Sequence, residues 1–142
     1  MTERAMRTVL GLLGLYHLLT GALALFAPGT FFDEIGRYGA ENLHYVGDVG
    51  SFTMAYGIAL LLAVGRRSWW MPILAVGAIW YALHAFNHVF DTDEARSDAR
   101  GWVDTLLLAG GAVALAWLAA QAGRLEPHGR ASSAGRDPDI RR

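Results

Sequence analysis

Long uncharged runs alternate along this chain with short charged segments. No Asp, Glu, Lys or Arg occurs from Thr8 to Phe32, Val49 to Gly65, Ser68 to Phe90 or Thr105 to Gly123. Each run approaches the ~20 residues that a helix needs to cross a ~30 Å hydrocarbon core. A helix on a soluble protein carries a polar face along its length, and these runs do not. The pattern predicts an all-α fold, a bundle of four transmembrane helices over roughly Thr8–Phe26, Tyr45–Val64, Trp69–Phe90 and Trp102–Ala122. Between the first two lies "GTFFDEIGRYGAENLHY", too polar to span and too aromatic for a plain loop. It is expected to be an amphipathic segment lying at the membrane interface. Trp69 and Trp70 fit an aromatic belt at the start of the third span, where Pro72 fits a first helical turn.

The length, 142 residues, suits one domain, expected over residues 1–123. The remainder, 124–142, is rich in Arg, Gly, Ser and Pro and is expected to be a disordered cytoplasmic tail. "MTERAMR" followed by an apolar run and "ALA" at 22–24 also resembles a secretory signal. That run is longer than a usual signal core, however, and three further spans follow it. Arginine sets the orientation. With the N-terminus inside, Arg4, Arg7, Arg66, Arg67 and the five arginines of the tail are cytoplasmic, against Arg37, Arg96 and Arg100 outside. The positive-inside rule therefore puts both termini in the cytoplasm of a cell that keeps this protein in its inner membrane. The outer loops hold seven carboxylates, a surface that attracts cations.

Polar residues inside the spans carry the candidate chemistry. On the third span Gly77, Trp80, His84, Asn87, His88 and Asp91 share one face by i, i+3, i+4 spacing. The second offers His44, Asp48, Ser51 and Ala55; the fourth Gly101, Asp104, Thr105, Leu108 and Gly111; the first Gly14, His17, Thr20 or Gly21, and Ala24. Unpaired polar groups are costly in hydrocarbon, so all four stripes should face one axis. At ~1.5 Å per residue, His88, Asp48 and Asp104 fall within a turn of the outer boundary, with His84 deeper and His17 below it. His44, Asp48, His84, His88 and Asp104 are thus expected to converge at the outer mouth. A His-x-x-x-His pair sets two imidazoles on one face, as metal ligation requires. With carboxylates added, the set suits a divalent transition metal, zinc or iron before copper or manganese. Haem between His17 and His84 is disfavoured, because no second matched ligand pair supports it. The bland reading is that these groups are neutralised packing pairs between helices.

The chain has no cysteine, which excludes disulfides, thiol catalysis and thiolate-held metals or clusters. No phosphate loop, nucleophile elbow or dinucleotide fingerprint is present. The glycine-rich first span, "ALFAP" before the amphipathic segment, then "GDVGSFTMAYGIALLLA" and "GRR", resembles small bacterial DoxX-like four-helix membrane proteins over about residues 7–120. That resemblance implies a helical bundle and a redox or accessory-subunit context, and no site residues carry over from it. Two function classes result. One is a metal-site protein, acting in membrane-surface enzymology or metal handling. The other is a non-catalytic subunit whose polar core fixes helix register. The expected partners are the lipid bilayer and either a second copy or a partner membrane subunit, not nucleic acid.

Overall fold

The computed structural model describes residues 1–125. These form α1 (Glu3–Phe26), α2 (Pro28–Glu34), α3 (Leu43–Ala63), α4 (Trp70–Phe90) and α5 (Asp98–Leu125), with short 3₁₀ turns at Arg67–Trp69 and Thr92–Glu94. Apart from one isolated bridge, no β-structure occurs among the described residues. α1, α3 and α5, together with the segment Arg67–Phe90 that holds α4, are long and apolar enough to cross a membrane. Leu12, Leu19, Phe86, Leu106 and Val113 on their outer faces are exposed. Apolar cover on that scale belongs in hydrocarbon, not water.

Local chemistry sets the ends. The Thr2 hydroxyl accepts from the Ala5 N–H at 3.2 Å, and the Asn42 side chain accepts from the Tyr45 N–H at 3.2 Å, capping α1 and α3. The Ser97 hydroxyl does the same for α5 at the Arg100 N–H, 3.3 Å away. Pro28 lacks the N–H that would continue α1, and it opens α2 instead. The sequence-based boundary at 123 falls just inside α5, which runs to Leu125. The rest of the expected tail lies outside the described residues.

The bundle is two tight helix pairs, α1 on α3 and α4 on α5, with little direct packing between α3 and α4. Glycine makes the first pair possible. A Cβ on Gly14 would lie 3.1 Å from the Gly57 carbonyl oxygen, and one on Gly21 would lie 2.9 Å from that of Gly50. The seven-residue spacing on both antiparallel helices puts glycine opposite glycine twice, so the backbones touch. In the second pair the Tyr81 ring fills the notch at Gly111.

The two pairs share a packed apolar core at one end only. There Met6, Leu10, Leu60, Trp70, Leu74 and Leu118 form a packed core, drawn from the start of α1 and α4 and the end of α3 and α5. Trp70 donates its indole N–H to the Ala63 carbonyl at 2.7 Å. Arg7 and Arg67 lie over its ring at 5.3 and 5.9 Å, and Arg67 pairs with Glu3 at 2.6 Å. At the other end a strap crosses between the pairs. Tyr38 bridges to Ala95, the Gly39 N–H donates to the Glu94 carbonyl at 3.0 Å, and Arg96 reaches the Asp33 carbonyl. Gly39 sits at φ 57°, a left-handed conformation that side-chain-bearing residues adopt at a cost.

Candidate functional site: a polar-ended cavity between the helix pairs

Because the pairs are packed at one end and only strapped at the other, a cavity of about 660 Å³ remains between them. This lies in the range of small-molecule sites, about 300–1,000 Å³. Its floor is His17 with Tyr81, its polar wall His84, Asn87 and His88, and its strapped end Tyr38, Asp91, Arg100 and Asp104. Phe31, Ile35, Val46 and Leu108 make the apolar sides. Among its lining residues Tyr16 on α1, Val49 on α3 and Leu107 on α5 are 57%, 49% and 68% exposed. These positions are on the flanks of spanning helices, several turns from the ends for Tyr16 and Leu107. The cavity therefore opens sideways, where lipid would be.

His17 is 1% exposed and ringed by Tyr16, Tyr56, Trp80 and Tyr81. Its Nδ1 lies 2.7 Å from the Leu13 carbonyl, an acceptor only, so Nδ1 carries hydrogen. With the ring neutral, Nε2 accepts from the Tyr81 hydroxyl at 2.9 Å. Both nitrogens are occupied, and His17 is a structural residue that orients Tyr81.

His84 and His88 face each other across one turn of α4, Nε2 to Nε2 at 3.0 Å. Trp80 stacks on His84 (6.4 Å, 21°), and the Tyr38 ring meets His88 at 4.4 Å. His88 Nδ1 is buried with no hydrogen-bond partner among the described residues. The Asp104 carboxylate accepts from the Tyr38 hydroxyl at 3.2 Å and from Arg100 Nε at 2.9 Å. Burial and the Asp104 carboxylate push the Tyr38 hydroxyl up to about 12. Asn87 donates to Asp91 at 3.1 Å.

The five expected ligands are thus only partly brought together. His84, His88 and Asp104 line the cavity; His44 and Asp48 do not. Their side chains are 81% and 64% exposed and pair with each other at 3.6 Å on the outside of α3. The reason is helix rotation. At about 100° per residue, His44 and Asp48 stand roughly 120° and 160° around the helix from Gly50, whose face the α1 seam takes. Among the described residues no group of three or more His, Asp or Glu side chains could hold a metal ion. Sequence reasoning missed Tyr81, Tyr38 and Arg100 as site residues. Tyr81 was legible, three residues before His84 on α4. Tyr38 was not, since it reaches the site from a loop.

No family model, curated protein or solved structure matches the chain.

Proposed function

We propose that this is a multi-pass membrane protein that binds a small molecule from the bilayer in the cavity between its helix pairs. The single observation that carries this reading is the location of the roughly 660 Å³ cavity. It lies at the end of the bundle that holds the intramembrane histidines, while the opposite end is a packed core. Buried polar groups in a membrane protein ordinarily mark a ligand or ion path. A cavity with apolar sides and a few convergent polar groups is the usual form of a ligand site.

The arginine asymmetry puts both termini in the cytoplasm and the histidine end outward. On that orientation the segment from α2 to Asn42 lies at the outer membrane surface and caps the site. The test is to purify the protein in lipid discs and identify co-purifying small molecules by mass spectrometry. A species enriched with the wild type and lost from Leu108→Trp, which puts an indole across the apolar side of the cavity, is the expected result. Identical profiles for the two proteins would refute the reading.

A second reading, metal handling at His84 and His88, is favoured by their separation. With metal–nitrogen bonds of ~2.05 Å, two Nε2 atoms 3.0 Å apart subtend about 94° at a shared ion. Such a nitrogen pair suits a divalent transition metal, zinc or iron first. Water or a bound molecule would supply the other positions.

A further inference from the structure

We propose that the cavity selects an amphiphile with a neutral hydroxyl head group, the hydroxyl lying between His84 and His88. This rests on the cavity being a ligand site and names the class of ligand.

The hydrogen-bond accounting of the lining leads there. Six of the residues that line the cavity carry a hydroxyl, and four of them commit its proton to the protein. Thr20 donates to the Tyr16 carbonyl (2.8 Å), Thr53 to the Val49 carbonyl (2.7 Å), Tyr38 to Asp104 (3.2 Å) and Tyr81 to His17 (2.9 Å). Their remaining lone pairs are acceptors. Asn87 donates one amide hydrogen to Asp91. These groups present acceptors to a ligand, but the lining also holds Tyr16, Tyr45 and Arg100, which can donate, so the histidine pair sets the preference.

The histidine pair refines the requirement. A contact of 3.0 Å between two neutral Nε2 atoms holds one hydrogen, so one ring offers an N–H and the other a lone pair. A hydroxyl entering on rotation of the His88 ring donates to one nitrogen and accepts from the other. An ether oxygen can only accept, and an ammonium can only donate. Charge points the same way. Asp104 is already met by Arg100, and His84 lies about two turns of α4 below Asp91. A cation at the depth of His84 would thus have no carboxylate within a turn of α4, although Asp91 stands within a turn of His88. Trp80, stacked on His84, gives the head group an aromatic wall. The apolar body then runs past Leu108 and Val46 and leaves between α3 and α5 into the bilayer.

A matched set of probes tests this: 4-octylphenol, its methyl ether 4-octylanisole, and 4-octylbenzylammonium. Each is titrated at equal mole fraction in micelles of the purified full-length protein, with stabilisation against thermal unfolding as the readout. The phenol should bind at least ten times more tightly than either analogue. His84→Phe should bring phenol and anisole to similar affinity while still taking up the anisole, which shows that the variant is folded. Leu108→Trp should lose all three. If phenol and anisole bind the wild type equally and Leu108→Trp binds neither, the ligand site stands and hydroxyl selection is overturned. Tighter binding of the ammonium overturns the neutral head group. If none of the three binds the wild type, hydroxyl selection and the ligand-site reading fall together.

Discussion

The glycine seam between α1 and α3 fixes the geometry from which the cavity follows, and its contribution can be measured. Gly21→Ala adds one methyl group where its carbon would stand 2.7 Å from Met54 Cα and 2.9 Å from the Gly50 carbonyl oxygen. Carbon atoms in contact prefer about 3.5–4.0 Å, so the two backbones must part by roughly 1 Å. Neither neighbour is the end of a flexible side chain that could turn away. Overpacking of this kind costs about 1–3 kcal/mol. Against it stands a gain of about 0.5–1 kcal/mol from replacing helical glycine by alanine. Separation also weakens the Gly14–Gly57 contact two turns along, so the upper part of the range is expected, a net loss of about 2 kcal/mol.

Gly11→Ala and Gly110→Ala are the controls. Nothing lies within 4 Å of a Cβ at either position, and both should be neutral or mildly stabilising. The assay is thermal unfolding in mild detergent, where about 2 kcal/mol lowers the midpoint by roughly 5–10 °C in a chain of this size. Gly21→Ala and Gly50→Ala should be strongly non-additive, because the first substitution already opens the gap that the second needs. Midpoints for Gly21→Ala and Gly57→Ala equal to those of the controls would refute the close-packed seam.

If the metal reading holds, His84→Ala or His88→Ala should remove most bound zinc or iron measured by elemental analysis, while His44→Ala leaves it intact. Binding should weaken below about pH 6.5, where free imidazole protonates. Tyr38 has a folded-state pKa raised to about 12 from 10.0. A raised pKa means that the folded state holds this proton more tightly. The resulting stability is complete below about pH 10 and is lost as pH rises towards about 12. Tyr38→Phe should remove that part of the alkaline loss in a pH series of unfolding midpoints. For topology, Asp93→Cys should react with an impermeant thiol reagent from outside intact cells and Ser132→Cys should not; the reverse pattern would invert the orientation.

Hydropathy is a local property, and that is why the four long apolar helices were legible residue by residue. The buried faces of three helices were legible too. Gly14, His17, Gly21 and Ala24 on α1, Gly77 on α4, and Gly101 and Thr105 on α5 all turn inward. α3 carries two competing stripes, one polar through His44, Asp48 and Ser51, the other small through Gly50 and Gly57. Polarity alone favours the first. The second faces inward because α1 presents glycines at the matching spacing, and a backbone contact needs both partners to lack a side chain. That pairing is a property of two helices, so no single stretch of chain reveals it. The same holds for the strap, where Tyr38 and Ala95 meet across 57 positions, and for Tyr38 reaching Asp104. Composition along the chain determined which helices are long and apolar enough to cross a membrane. Only the tertiary contacts decided how α3 is rotated, and hence that His84, His88 and Asp104 share a cavity that His44 and Asp48 do not enter.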